Sequence, residues 1–283
     1  MSRPRSGESA PHAAKKSLGQ HFLFDRDLLA RIARAGGPVE DRTVIEVGPG
    51  PGGLTRALLD ASVAKLLALE MDDRFAAELL SWPEALAGRL AIHHGDALKA
   101  DIPALIAAAG GKTPAMIIAN LPYNVGTPLL IDWLKAGPAG RSWRGAMVLM
   151  FQKEVAERIC AAPDDEHYGR LAVLAHGACR CRIAMLVPPG AFRPPPKVDS
   201  AVVVLEPLAP EQAFGDLEAL EIVAASAFGQ RRKMLRAALK TLAGTYAPDL
   251  LLARAGIDGT RRAETLTQAE FRTLAEVWRN ANP

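Results

Sequence analysis

A glycine-rich segment between a strand pattern and a helix pattern is the first feature that could carry chemistry. In "VIEVGPGPGGLT", residues 44–55, Gly48, Gly50 and Gly53 have the G-x-G-x-x-G spacing. Glycines so spaced permit a tight turn and let the backbone approach a ligand closely. Glu70 ends the next strand pattern, 22 residues after Gly48, where a carboxylate can bind ribose hydroxyl groups. Together, the loop and the acid predict a site for a cofactor that contains adenosine.

Two cofactor classes fit this loop. A dinucleotide would place its pyrophosphate at the N-terminus of the following helix, whereas S-adenosylmethionine carries no phosphate and needs polar groups around its adenine and amino-acid ends. Glu46, just before the loop, disfavours a phosphate. Asp96 in "HHGDAL" can accept a hydrogen bond from an adenine amino group, although an aspartate there is also a common N-cap. S-adenosylmethionine is favoured, and a nicotinamide-dependent oxidoreductase is the alternative from another enzyme class.

The stretch "IIANLPYNVGTP", residues 117–128, begins as a buried strand and ends unusually. Its apolar run stops at Asn120, and Leu121, Pro122 and Tyr123 follow. Ligands of open parallel sheets bind outside the carboxyl ends of the strands, so we expect these side chains beside the cofactor. The structural alternative is an Asx or proline turn followed by a core tyrosine.

The elements that must position these residues alternate along the chain. Short apolar runs at 42–48, 65–70, 90–96, 115–120 and 145–151 are separated by helical patterns at 54–59, 74–80, 102–109 and 128–135. This alternation predicts an α/β fold with a Rossmann-like parallel sheet covered by helices on both faces. A helix at 170–178 and strands at 180–187 and 200–207 follow.

Beyond residue 207 the pattern is helical only, at 217–228, 231–242, 250–255 and 268–279. Thr267 and Glu270 form a capping box for the last helix. We therefore predict a disordered basic arm at 1–17, a cofactor-binding domain at 18–207 and a small all-α domain at 208–283.

Composition limits the partners. The chain has 283 residues, 49% of them hydrophobic and 23% charged, with a net charge of +3. Residues 221–283 contain ten Arg and Lys against six Asp and Glu, so a polyanionic partner is favoured over a merely solvated surface. No apolar run reaches membrane-spanning length and no signal-peptide pattern is present, so a cytoplasmic protein without a membrane partner is expected.

The cysteines do not predict a metal site. The three, Cys160, Cys179 and Cys181, make no disulfide framework. His176-x-x-Cys179-x-Cys181 has no obvious fourth ligand for zinc. No metal is expected.

The motifs in chain order resemble the ribosomal RNA adenine N6-dimethyltransferase family, and most closely its small-subunit (KsgA/RsmA) branch. The matching segments are "LGQHFLFD" (18–25), "VIEVGPGPGGLT" (44–55), "ALEMD" (68–72), "GDAL" (95–98), "NLPYNVGTPLL" (120–130), "MFQKEVAERI" (150–159), "YGRLAVLA" (168–175), "FRPPPKVDSAVV" (192–203) and "AFGQRRKMLRAAL" (227–239). They cover nearly the whole chain. The resemblance implies a class I methyltransferase domain at 18–207 and a substrate-recognition domain at 208–283.

The resemblance also explains the unusual strand end. The lone pair of adenine N6 is delocalised into the ring, so two hydrogen-bond acceptors, Asn120 and a backbone carbonyl near Leu121–Pro122, would favour a nucleophilic nitrogen. Pro122 fixes its own φ and Tyr123 offers a face on which the base can stack. Phe192 corresponds to the second aromatic of the family, near the opposite face of the base. Catalysis then depends on orientation and preorganised dipoles.

The expected cofactor residues extend this set. His21 and Leu23 match a segment that closes over the cofactor, although the family often has Asn at the position of His21. The full cofactor set is His21, Leu23, Gly48, Gly50, Glu70, Met71, Asp96, Ala97 and Asn120.

Phosphate contacts in RNA require Lys and Arg. The candidates are Arg231, Arg232, Lys233, Arg236, Lys240, Lys15 and Lys16. If 231–242 is one helix, Arg232, Arg236 and Lys240 share a face. The resemblance implies dimethylation of two adjacent adenosines in a hairpin near the 3′ end of small-subunit ribosomal RNA, in an immature 30S particle, by a monomer. The alternatives are methylation of large-subunit RNA, as in antibiotic resistance, and a binding role without catalysis.

Overall fold

The computed structural model describes residues 21–136, 142–230, 232–242 and 247–282. The strands of this part of the chain are β1 (Phe22–Leu23), β2 (Thr43–Val47), β3 (Lys65–Glu70), β4 (Leu90–His94), β5 (Ala115–Asn120), β6 (Arg144–Gln152), β7 (Cys179–Val187), β8 (Phe192–Arg193) and β9 (Ser200–Pro207). Its α-helices are α1 (Arg26–Arg34), α2 (Gly53–Asp60), α3 (Asp73–Leu80), α4 (Pro83–Leu86), α5 (Ile102–Ala108), α6 (Gly126–Lys135), α7 (Lys153–Cys160), α8 (Arg170–Ala178), α9 (Leu217–Phe228), α10 (Leu235–Ala238), α11 (Pro248–Ala255) and α12 (Gln268–Ala281).

Seven strands form one mixed sheet in the order β4-β3-β2-β5-β6-β9-β7. The strands from β4 to β6 are parallel, as the sequence predicts, whereas β9 is antiparallel to both β6 and β7. The chain runs outward from β2 through β3 to β4 and then returns to β5 on the other side of β2. The strand order therefore reverses between β2 and β5, which is where open α/β sheets bind ligands.

Helices cover both faces of this sheet, because neighbouring residues of each buried strand point to opposite sides. Val44, Leu66 and Ile118 pack with side chains of α1, α2 and α3. Ile45, Leu67 and Ile117 pack with side chains of α5, α6 and α8. The α/β class with helices on both faces is confirmed.

The apolar cluster on the second face continues into the helices that follow β9. Trp133 and Leu174 belong to the same buried cluster as Leu220 and Phe271, and α9 packs against α8. The described chain after Pro207 contains helices and no strand. The division at residue 208 stays a prediction, since hydrophobic packing is continuous across that point.

Two features differ from the sequence-based expectation. The predicted helix 231–242 is wrong in length: α10 is short and a 3₁₀ turn, Leu239–Thr241, follows it. The N–H of Leu235 donates to the carbonyl of Arg261 at 2.8 Å and that of Arg236 to Gly259 at 3.1 Å. These bonds to a distant loop replace the bonds of a preceding helical turn, so Arg232, Arg236 and Lys240 do not share one helix.

The second difference is a small ribbon. Strands β1 and β8 pair antiparallel, with Phe22 opposite Arg193 and Leu23 opposite Phe192. The sequence patterns predict neither strand. No helix of the described residues is long and apolar enough to cross a membrane.

Candidate active site

One pocket opens at the carboxyl ends of β2, β3, β4 and β5. The residues predicted to hold the target adenine, which we call the adenine clamp, are Asn120, Leu121, Pro122, Tyr123 and Phe192. All nine residues of the predicted cofactor set, which includes Asn120, line the pocket together with three more residues of the clamp: His21, Leu23, Gly48, Gly50, Glu70, Met71, Asp96, Ala97, Asn120, Leu121, Pro122 and Tyr123. The fold thus brings together residues that are up to 102 positions apart in sequence. Phe192 is not among the lining residues.

The glycine loop needs glycine for two physical reasons. Gly48 has φ of 69° and Gly50 has φ of 55°, values that side-chain-bearing residues adopt only at a cost. A Cβ atom on Gly50 would lie 2.7 Å from Cε1 of Phe22. The loop backbone and β1 therefore approach each other as closely as they do only because position 50 has no side chain.

Glu70 is a fixed acceptor at the end of β3. Its side chain is buried, and Oε2 accepts the N–H of Gly50 at 2.9 Å while Oε1 accepts the N–H of Asp72 at 2.7 Å. A carboxylate oxygen has a second lone pair, so each oxygen can still accept a hydrogen bond from a hydroxyl group of a ligand in the pocket. The two backbone donors hold the carboxylate in one orientation before any ligand binds.

Glu46 does not have the role that the sequence predicts for it. It is buried, Oε2 accepts the hydroxyl of Thr55 at 2.7 Å, and burial, aided by the nearby charge of Glu70, raises the pKa of Glu46 to about 8. The carboxyl is therefore mainly protonated at neutral pH, so repulsion of a phosphate by its charge is the wrong reason to exclude a dinucleotide.

Two N–H groups of the glycine loop are engaged within the protein. The N–H of Gly50 already donates to Glu70, and that of Gly48 donates to the carbonyl of Leu69 at 2.9 Å. A pyrophosphate bound at this loop would need such N–H groups as donors. The N–H groups of Gly48 and Gly50 are therefore not available to a phosphate.

Asp96 lies in a turn at the end of β4 and does not cap a helix. Oδ1 accepts the N–H of Leu98 at 3.0 Å, which fixes a turn over residues 97–99 rather than the start of a helix. The residue also lines the pocket. The turn orients the carboxylate, and Ala97 and Leu98 line the pocket beside it.

Asn120 is oriented by the segment that precedes β1. Its Nδ2 donates to the backbone carbonyl of His21 at 3.1 Å. Because the amide nitrogen is engaged in this way, the side-chain oxygen is the group available as an acceptor. Among the described residues, none donates to it.

A second acceptor lies next to Asn120. The carbonyl of Pro122 accepts the N–H groups of Val125 and Gly126, both at 3.1 Å, and so closes the turn into α6. No backbone N–H of the described chain donates to the carbonyl of Leu121. Of the two carbonyls that the sequence left open, that of Leu121 is the one available to a ligand.

Tyr123 is anchored at its hydroxyl group, which hydrogen-bonds with Oγ of Ser200 at 2.7 Å. Burial raises the pKa of Tyr123, so the hydroxyl stays neutral. The ring of His21 stacks on it, with the centroids 5.7 Å apart and the planes 29° apart. Ser200 escaped the sequence analysis. The sequence gives no signal for its role, which depends on its position at the start of β9, opposite Gln152.

Phe192 is placed differently from the other clamp residues. It is 2% exposed, pairs with Leu23 across the ribbon and packs in the apolar cluster of the first sheet face. This is the core position that would be assumed without the resemblance. Its part in holding a base stays a prediction.

Four of the predicted RNA-binding residues, Arg232, Lys233, Arg236 and Lys240, are exposed. Lys15, Lys16 and Arg231 lie outside the described residues. Leu235 and Leu239 are buried, so the short helix α10 packs through its leucines and leaves Arg236 exposed.

The sheet order, the glycine loop and the acids at the strand ends define a class I methyltransferase. Two solved structures share this architecture over most of their length. A dimethyladenosine transferase from Plasmodium falciparum has a TM-score of 0.73 and 25% identity, with 90% of this chain and 96% of that chain covered. The 23S rRNA methyltransferase ErmE has a TM-score of 0.64 and 26% identity, with coverage of 91% and 99%.

The chain belongs to the ribosomal RNA adenine dimethylase family, whose model matches residues 11–280. Its relatives include proteins named ribosomal RNA small subunit methyltransferase A. That of Maricaulis maris is 53% identical over 95% of this chain and 91% of the relative. That of Rhizobium meliloti is 55% identical over 93% of this chain and 92% of the relative.

Proposed function

We propose that this protein dimethylates N6 of two adjacent adenosines in a hairpin near the 3′ end of small-subunit ribosomal RNA, with S-adenosylmethionine as methyl donor. Family membership supports adenine dimethylation, and relatives with more than half of their residues identical carry the small-subunit name. The observation that carries the proposal is the position of Asn120, whose oriented amide stands at the wall of the cofactor pocket.

The pocket suits S-adenosylmethionine. The fixed carboxylate of Glu70 can accept both ribose hydroxyl groups, and Asp96 can accept the adenine amino group. The glycine loop provides room for the rest of the molecule, and the N–H groups of Gly48 and Gly50 are already engaged within the protein. When bound, the cofactor supplies an electrophilic methyl group.

The target adenine is held by groups of this chain. In the first transfer, the oxygen of Asn120 and the carbonyl of Leu121 accept hydrogen bonds from the two N–H groups of N6, which favours a tetrahedral nitrogen with its lone pair directed at the methyl group. In the second transfer N6 has one N–H left, and one of the two acceptors holds it. Tyr123 stacks on the base and is itself kept in place by Ser200. None of these groups is a strong base. The rate enhancement comes from orientation and from dipoles that need no reorganisation.

RNA is recognised through its backbone and through an unstacked base. Enzymes that act on a base must take it out of the helical stack, and the exposed cations Arg232, Lys233, Arg236 and Lys240 supply phosphate contacts. Large-subunit RNA is the second candidate substrate, favoured by the likeness to ErmE. The small-subunit assignment has the stronger support because the relatives named for it are twice as similar in sequence.

The test is transfer of labelled methyl groups to immature small subunits, with primer extension on both ribosomal RNAs to map the modified positions. We expect two adjacent dimethyladenosines in the small-subunit RNA and no modification of the large-subunit RNA. Modification confined to large-subunit RNA would support the second candidate. Absence of transfer to either RNA, with the cofactor still bound, would support a binding role without catalysis.

A further inference from the structure

An exposed aromatic ring stands beside the candidate active site without lining it. Phe24 follows Leu23, which lines the pocket. The side chain of Phe24 is 48% exposed. The guanidinium carbon of Arg193 lies 6.0 Å from the centroid of the Phe24 ring, at the distance of a cation–π contact. Arg193 is exposed as well and follows the buried Phe192. Neither side chain is required by the core.

The ribbon of β1 and β8 fixes both residues relative to the pocket. Leu23 pairs with Phe192 and Phe22 with Arg193. Leu23 and Phe192 are buried, and because side chains alternate along a strand, Arg193 projects from the opposite side of β8. Phe24 follows β1, and its ring lies beside the guanidinium of Arg193. Nδ1 of His21 hydrogen-bonds with the carbonyl of Pro194 at 2.8 Å and extends the pairing by one position. Arg193 is thus part of β8, and Phe24 lies in the short connection between β1 and the N-cap of α1.

Arg193 places a positive charge beside the Phe24 ring. The carboxylate of Asp25, next to Phe24, is used as the N-cap of α1, where it accepts the N–H of Leu28 at 3.0 Å. Arg193 forms no ion pair with any carboxylate of the described residues, and Lys197 in the same loop is exposed. A flat apolar ring beside an unneutralised guanidinium matches a nucleotide, whose base stacks and whose phosphate is negative.

We propose that Phe24 and Arg193 form a subsite for the nucleotide adjacent to the target adenosine, with its base on the Phe24 ring and its phosphate near Arg193. This inference rests on the proposed function, because it assumes an RNA substrate whose adenosine enters the pocket. When that adenosine leaves the stack, its neighbour loses a stacking partner. The ring of Phe24 replaces that partner and so lowers the cost of unstacking.

The test compares Phe24→Ala, Arg193→Ala, the double variant and Phe24→Trp with wild type. Leu86→Ala is the matched control, because Leu86 is 81% exposed on α4, which leads to the amino end of β4, away from the pocket. Affinity for a labelled RNA hairpin with two adjacent loop adenosines is measured by fluorescence anisotropy. S-adenosylmethionine affinity is measured by calorimetry, and methyl transfer is measured at limiting small-subunit concentration.

We expect Phe24→Ala to weaken hairpin binding about tenfold, as loss of one base–aromatic stack does, and to lower transfer in parallel. Arg193→Ala lowers both, the double variant loses less than the product of the single losses, and Phe24→Trp retains wild-type affinity. Cofactor affinity is unchanged throughout.

The subsite would be overturned if Phe24→Ala bound the hairpin as tightly as Leu86→Ala does. It would also be overturned if the wild-type protein bound the hairpin too weakly to measure. A fall in cofactor affinity equal to the fall in RNA affinity would also overturn it, since Phe24 would then only support the pocket. Wild-type protein that binds the hairpin but transfers no methyl group contradicts the proposed function instead, and the anisotropy comparison still decides the subsite.

Discussion

The side-chain amide of Asn120 donates to the backbone carbonyl of His21 across 3.1 Å, so the end of β5 is oriented by a residue 99 positions earlier in the chain. The same His21 stacks on Tyr123 and bonds to the carbonyl of Pro194. One residue thereby connects the amide, the aromatic ring and the proline-rich loop of the proposed adenine clamp. His21 lines the cofactor pocket as predicted. It also contacts two residues of the adenine clamp, Asn120 and Tyr123.

Asn120→Ala should nearly abolish methyl transfer. The variant removes an oriented acceptor for N6, and loss of one preorganised group of this kind lowers kcat by about 100-fold or more. S-adenosylmethionine affinity should fall only modestly, because Glu70 and Asp96 are unchanged. Labelled methyl transfer and calorimetry measure the two effects. Activity of the variant close to wild type would remove Asn120 from the mechanism.

Tyr123→Phe should lower methyl transfer only slightly, whereas Tyr123→Ala should lower it strongly. The first keeps the stacking face and loses only the bond to Ser200, which costs about 1 kcal/mol of stability. The second removes the face itself and should lower kcat/KM about tenfold or more. Ser200→Ala should resemble Tyr123→Phe. Thermal unfolding and transfer kinetics on the three variants separate anchoring from stacking, and equal kinetic losses in Phe and Ala variants would contradict a stacking role.

Gly50→Ala should weaken cofactor binding, and Gly88→Ala provides a matched control. Both glycines have positive φ, 55° at Gly50 and 74° at Gly88, so both substitutions carry a backbone cost of about 1–2 kcal/mol. A Cβ at Gly50 collides with Phe22 at 2.7 Å, whereas one at Gly88 meets nothing within 4 Å. Calorimetry with S-adenosylmethionine should therefore show lost affinity in Gly50→Ala alone. Equal loss in both variants would show that general destabilisation is the cause.

Protonation of Glu46 should make stability depend on pH. Its pKa in the folded protein is raised from 4.5 to about 8, so between these values the folded state holds a proton that the unfolded state releases. The free energy of unfolding therefore falls as pH rises through this window, by up to about 1.4 kcal/mol per pH unit, and levels off above it. Glu46→Gln cannot titrate. The stability of wild type relative to this variant should decline from pH 6 to pH 8, as measured by chemical denaturation at each pH, and a constant difference would show that Glu46 titrates normally.

The sequence predicts the pocket better than it predicts what surrounds it. A parallel sheet brings the carboxyl ends of its strands to one edge, so Gly48, Glu70, Asp96 and Asn120 could be assigned to one site from strand patterns alone. The ribbon of β1 and β8 could not be predicted, because each strand has two residues and no periodicity, and its partners are far apart in the chain.

Other errors also have long-range causes. The segment 231–242 has a helical pattern, but hydrogen bonds to Gly259 and Arg261 delay the start of α10 to Leu235. The protonation of Glu46 depends on complete burial, which one residue in a strand pattern does not disclose.

The exposed cations just before α10, Arg232 and Lys233, should contact phosphates and confer no sequence preference. Arg232→Ala and Lys233→Ala should each weaken RNA binding and each reduce the slope of log affinity against log salt concentration by about one. Arg42→Ala is the control. Arg42 is exposed and precedes β2, so it lies at the amino ends of the parallel strands, whereas the pocket lies at their carboxyl ends. Hairpin RNA affinity measured at several salt concentrations gives the slopes. Unchanged slopes in Arg232→Ala and Lys233→Ala, equal to that of Arg42→Ala, would show that these cations form only a solvated surface and that RNA reaches the pocket by another face.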